Sequence, residues 1–209
     1  MPLEAKICGL KKKEDIILSI NKGASYCGFI VNYPKSHRNI KSKPSLAKLN
    51  NINKKNSKFV AVLVNPTNKD LIKIKGIKFD FIQLHGNESI KRIKEIKKIC
   101  NIKIIKTIKI KEKNDVKKFN DYLPIVDMFL FDSFGFEKSK SFNHNWLKHL
   151  SKRGFAWMIA GNIGVDNLEK VAKITKIVDV SGNLETNKSK DKKKIINFLN
   201  KVKEINDRN

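Results

Sequence analysis

The chain has 209 residues, enough to bury a full-sized hydrophobic core without disulfide or metal staples. Its 45 Lys and Arg outnumber 20 Asp and Glu for a formal net charge of +25, yet only Arg38, Arg92, Arg153 and Arg208 are arginines. Lysine scattered among isoleucine and asparagine, without interleaved aromatics, argues against a base-reading or base-stacking surface and for solvated helix faces, while still drawing in a small anionic substrate. Three cysteines with no C-x-x-C spacing and no nearby histidine cluster argue against a disulfide framework and a zinc site and suit a reducing cytoplasm. With no apolar leader and no apolar run of about 18 residues, neither secretion nor membrane spanning is expected.

In chain order, Ala5 to Leu10 (AKICGL) reads as a strand ending on Cys8 and Gly9, followed by a helix over Lys12 to Lys22 that stops at Gly23. Tyr26 to Val31 is the second strand, and the loop after it carries Arg38. Pro44 and Ser45 open a weak helix towards Ile52. Phe59 to Val64 (FVAVLV) is a continuous apolar strand, the pattern of a strand covered on both faces. It is followed by Asn65 and a short helix around Leu71. Phe79 to Leu84 ends in Gln83 and His85 before a helix from Ser89 to Ile99. Ile102 to Ile108 precedes a helix from Glu112 to Tyr122, and Asp127 to Asp132 (DMFLFD) precedes a short one from Trp146 to Leu150. Phe155 to Ala160 ends in Gly161-Asn162 before a helix from Asp166 to Ile174. Ile177 to Val180 ends in Ser181-Gly182-Asn183, and a helix from Lys190 to Ile205 closes the chain, with Ile195, Ile196, Leu199 and Val202 inward.

Eight strand-then-helix units without a compositional break predict one domain over residues 1–209. Right-handed crossovers in a parallel sheet of eight units close it into an α/β (β/α)8 TIM barrel with short loops. Chemistry in that architecture gathers at the strands' carboxyl ends. There the sequence sets the thiol of Cys8, the guanidinium of Arg38, Gln83 with the imidazole of His85, and the carboxylate of Asp132. Gly161-Asn162 and Ser181-Gly182-Asn183, after the last two strands, let backbone N–H groups approach a phosphate closely. Cys8 is the first candidate for a catalytic group, while Cys27, inside its strand, reads as core.

With those residues in place, the chain resembles phosphoribosylanthranilate isomerase, a (β/α)8 enzyme of tryptophan biosynthesis. The resemblance rests on K-I-C-G-L at Lys6 to Leu10, S-H-R at Ser36 to Arg38, Q-L-H-G-N-E at Gln83 to Glu88, F-D-S at Phe131 to Ser133, I-A-G at Ile159 to Gly161 and D-V-S-G-N-L-E at Asp179 to Glu185. It implies an Amadori rearrangement without metal or organic cofactor, with Asp132 as general acid and Cys8, as thiolate, as general base. It further implies that Arg38 meets the anthranilate carboxylate, that Gln83 and His85 line the pocket, and that Gly161, Asn162, Ser181, Gly182 and Asn183 hold the phosphate. A cationic surround is expected to keep Cys8 ionised. The chain departs from the family's usual G-G-T-G-x-x-F loop, with Phe134 to Phe142 predicting a stiffer, bulkier lid. Two other readings compete. A different phosphosugar isomerase on this barrel would normally need an aspartate where Cys8 stands, and an inactive basic protein would show salt-dependent nucleic-acid binding. The expected partner is a small anionic substrate, with no nucleic acid and no membrane, in a cytoplasmic monomer or homodimer.

Overall fold

The computed structural model describes residues 2–135 and 141–208. Eight parallel strands close on one another in sequence order. They are β1 (Glu4–Cys8), β2 (Tyr26–Ile30), β3 (Lys58–Leu63), β4 (Phe81–Leu84), β5 (Lys103–Ile110), β6 (Met128–Ser133), β7 (Trp157–Ile159) and β8 (Ile177–Val180). The seam is set by β1 against β8, with Glu4 opposite Ile177 and Lys6 opposite Asp179. Side chains alternate across each strand, so Val60, Val62, Ile105, Leu130 and Met158 fill the barrel while Phe29, Phe59, Ile82, Phe129 and Ile159 pack outward against the helices. Both faces are covered, which is why these strands read as unbroken apolar runs.

Six α-helices lie outside: α1 (Lys13–Asn21), α2 (Lys43–Ala47), α3 (Asn68–Ile74), α4 (Ile90–Cys100), α5 (Val165–Ala172) and α6 (Lys192–Asp207). Their starts follow local chemistry. Thr67 and Asp70 form a capping box on α3, and Ser89 caps α4. Helix α4 ends where Asn101 turns left-handed at φ 47°.

Three connections differ from the expected α-helices. Lys48–Asn51, Lys113–Tyr122 and His144–Lys152 wind as 3-10 helix. The second and third are rich in Asn, Asp and His, whose side chains compete for backbone groups and weaken α-helical propagation. Helix α6 begins at Lys192 rather than Lys190, because the Asp191 carboxylate accepts from the amides of Lys193 and Lys194. Its inward face uses Phe198, fully buried, where Ile196 is only half-buried. The segment expected to form the lid runs through residues 136–140 and lies outside the described residues.

Not every lysine is a solvated surface group. Lys6 is fully buried inside the barrel, and Lys106 is buried outside it, donating to the Glu88 carboxylate at 2.7 Å and the Gly86 carbonyl at 2.8 Å. Lys190, its side chain 3% exposed, sits in a two-residue ribbon, Ser189–Lys190 against Glu185–Thr186. Among the described residues no helix is long and apolar enough to cross a membrane.

Candidate active site

At the carboxyl ends of the strands the barrel opens into a cavity of about 600 Å³, the size of a small-molecule site. Its wall contains all ten residues singled out above: Cys8, Arg38, Gln83, His85, Asp132, Gly161, Asn162, Ser181, Gly182 and Asn183. Parallel strands with their loops on one rim bring together residues up to 175 positions apart in the chain.

Cys8 is the last residue of β1, with its side chain in the interior cluster, and Lys6 lies one pleat below it on the same face. Gly9 then turns at φ 79°, and a Cβ there would collide with the Arg38 side chain. Burial pushes the Cys8 thiol up; Lys6 and, more weakly, Lys190 draw it down, and Asp179 opposes them. The net direction is upward. The cations expected around Cys8 are present, and desolvation works against them. Cys27, pushed up to about 12 by burial, is the core residue its strand position implied.

Across the barrel, Asp132 ends the inward-facing series of β6. One carboxylate oxygen lies 3.2 Å from His85 Nε2, and the other accepts from the Ser133 amide at 2.8 Å. The carboxyl group is thus held at both ends, 17% exposed towards the cavity. Gln83, on β4, is fixed by its amide nitrogen donating to Thr107 Oγ1 at 3.3 Å, while its Oε1 is buried with no hydrogen-bond partner among the described residues. An orphaned acceptor on a cavity wall is costly unless a ligand donor meets it.

Arg38 does not stand as an isolated fork. Its Nε and Nη2 donate to the two oxygens of Glu185 at 2.6 and 2.8 Å, a bidentate pair, and His37 Nε2 lies 3.0 Å from the same carboxylate. Lys190 completes the cluster, donating to Glu185 at 2.8 Å and to the Ser181 carbonyl at 2.9 Å. Burial alone would raise the Glu185 carboxyl, but the Arg38 hydrogen bonds and the Lys190 charge hold it down at about 2.

The loops after β7 and β8 form the remaining wall. Gly161 and Asn162 both take positive φ, 92° and 55°, a geometry that asparagine tolerates better than other residues bearing a Cβ. Asn183 works through its side chain instead, its Nδ2 donating to Asn162 Oδ1 at 3.1 Å and to the Ile163 carbonyl at 2.9 Å, which ties the two loops together. Gly182–Leu184 is a single turn of 3-10 helix. Among the described residues the amides of Gly161, Asn162, Gly182 and Asn183 have no protein acceptor, leaving four donors for an anion.

Sequence reasoning gave no role to Lys6, Asp179, Glu185 or Lys190. Lys6 carries a readable signal, since it stands two residues before Cys8 and therefore shares its face of β1. The other three lie within or just after the strand-eight motif.

Comparison with known proteins gives the family and the fold. Residues 5–201 match the family model for N-(5'-phosphoribosyl)anthranilate isomerase. The enzyme of that name from Rhizobium rhizogenes is 36% identical over 96% of this chain and 94% of its own length, and that from Aquifex aeolicus is 31% identical over 96% and 98%. The crystal structure of the Thermotoga maritima phosphoribosylanthranilate isomerase superposes with a TM-score of 0.86 at 25% identity, covering 97% of this chain and 99% of that one. The chain therefore belongs to the N-(5'-phosphoribosyl)anthranilate isomerase family and is an isomerase of tryptophan biosynthesis.

Proposed function

We propose that the rearrangement runs through Cys8 as general base and Asp132 as general acid, within a single barrel unit. Asp132 protonates the furanose ring oxygen, the C1–O bond breaks, and the nitrogen lone pair forms the C1=N iminium. Cys8, as thiolate, takes the C2 proton, and the C2–H electron pair neutralises the iminium to give an enolamine. Tautomerisation then yields the ketone, 1-(o-carboxyphenylamino)-1-deoxyribulose 5-phosphate. No metal or organic cofactor is needed for this sequence of proton transfers.

Binding follows the same wall. Arg38 receives the anthranilate carboxylate, Gln83 accepts from a sugar hydroxyl through its orphaned oxygen, and His85 orients Asp132 from 3.2 Å. Gly161, Asn162, Ser181, Gly182 and Asn183 hold the phosphate, chiefly through the backbone donors that lack a protein acceptor. The observation that carries the reading is that thiol and carboxyl line one cavity whose rim also holds those amides.

The decay of anthranilate fluorescence on freshly generated substrate tests it. Cys8→Ala and Asp132→Ala should each lower turnover by about 10²–10⁴-fold, the range for a positioned acid or base. Turnover close to wild type in either variant would remove that residue's role.

A further inference from the structure

Lys6 has no place in the rearrangement as written, yet it is the most completely buried charge in the barrel interior. A lysine there is costly unless something compensates the charge. Asp179, opposite it on β8, accepts from its Nζ at 3.0 Å and accounts for part of that compensation. The remainder points at Cys8. Gly28 on β2 is registered against Cys8, and a Cβ built on it would lie 2.8 Å from Cys8 Sγ and 3.1 Å from Lys6 Nζ. Sulfur and ammonium therefore share the space that the missing side chain leaves. Burial works against the Lys6 charge, but the Asp179 carboxylate and the Cys8 sulfur outweigh it and keep Lys6 above the ordinary lysine value.

We infer that Lys6 is the positioning residue for the base: a fixed ammonium, anchored by Asp179 and admitted by Gly28, that stabilises the Cys8 sulfur in its anionic form during proton abstraction. Lys6 keeps its proton throughout; the proton that moves goes from substrate C2 to sulfur. This inference rests on the reading of Cys8 as base. It gives the buried cation the task of offsetting the desolvation that otherwise keeps sulfur protonated. The other charged groups facing this end of the barrel are Lys190 beyond β8, the Arg38–Glu185 pair above Gly9, and Asp132 with His85 across the cavity; Glu4 and Tyr26 lie below.

The test reads Cys8 directly. Iodoacetamide alkylation of the full-length folded protein is followed from about pH 6 to 11 by the mass of the peptide holding Cys8, with the Cys27 and Cys100 peptides as internal references. Asp179→Asn leaves Lys6 to sulfur alone and should move the Cys8 midpoint down by about one pH unit. The double variant Lys6→Met/Asp179→Asn removes both charges without stranding either and should move it up by about one pH unit. In the double variant kcat at pH 7 should fall about tenfold and recover at high pH with KM little changed, and Lys6→Arg should restore most of the wild-type profile. Coincident midpoints in wild type, Asp179→Asn and the double variant would overturn the inference, as would a kcat loss that high pH does not restore. If the double variant fails to fold, Lys6→Gln decides the matter, because Asp179→Asn by itself also removes a carboxylate that raises Cys8 directly: the Cys8 midpoint should rise in Lys6→Gln, and an unmoved midpoint would overturn the inference. Failure of the base reading looks different: Cys8→Ala would keep turning over while the alkylation midpoints still moved.

Discussion

Arg38 reaches the cavity already gripped by Glu185, and this pair shows how one residue's charge state can set both geometry and stability. Glu185 stays ionised to unusually low pH because Arg38 and Lys190 surround it. Its folded value lies below the ordinary carboxyl value, so the stability it confers is complete above about pH 4.5 and drains away as pH falls towards 2. Glu185→Gln should lower Tm at pH 7 by about 4–8 °C, the equivalent of about 2 kcal/mol for a charge-assisted pair in a chain of this size. That gap should close between about pH 4.5 and 2, and a gap independent of pH would show that packing, not charge, holds the site. Cys8, Arg38 and Asp132 were legible in the sequence because each stands at or just after a strand end, where thiol, guanidinium and carboxyl groups have little reason to gather otherwise. Lys190 was not, and Lys6 offered only its two-residue spacing from Cys8. In a chain with 45 basic residues a lysine carries almost no information by itself, and only tertiary packing reveals which side chains are buried.

Between residues and the whole fold stand the two loops that present amides to the cavity. They look equivalent in sequence, each a glycine beside an asparagine, and they are not equivalent in space. Gly161 combines φ 92° with a neighbour, Ser133, whose atoms would lie 3.1–3.2 Å from a new Cβ. Gly182 has no positive φ, and the nearest atom to its Cβ position is Arg38 Nη2 at 3.8 Å, ordinary contact. Gly161→Ala should therefore cost about 1–2 kcal/mol of stability from the left-handed backbone alone, and should weaken competitive inhibition by inorganic phosphate about tenfold as the loop shifts. Gly182→Ala should leave both quantities near wild type. Melting curves and phosphate Ki values separate the two, and equal behaviour would mean that the loops bear the phosphate alike. The strands were legible to within about two residues because their apolar runs are continuous. The 3-10 connections after β5 and β6 were read as α-helices, since 3.0 and 3.6 periodicities cannot be separated over nine or ten residues when Asn and Asp interrupt the pattern.

At the scale of the molecule, the barrel's count and order were readable because eight repetitions of the same alternation leave few other topologies. The large positive charge was the misleading whole-chain feature, since it suggests nucleic acid before the cavity is seen. Its physical consequence for a small anion is a field that concentrates substrate near the mouth, and such a field is screened by salt. The cavity itself adds Arg38 and Lys188 to the wall where the anionic ends of the substrate are expected. Raising ionic strength from about 0.01 M, where the screening length is about 30 Å, to about 0.15 M, where it is about 8 Å, should lower kcat/KM several-fold. kcat should stay within a factor of about two, because proton transfer inside the cavity takes place over distances that salt does not screen. Replacing three or four exposed lysines of α6 with glutamine should flatten the salt dependence without altering kcat. A kcat/KM unaffected by salt would mean that only the contacts inside the cavity recruit the substrate, leaving the lysine-rich surface without a role in catalysis.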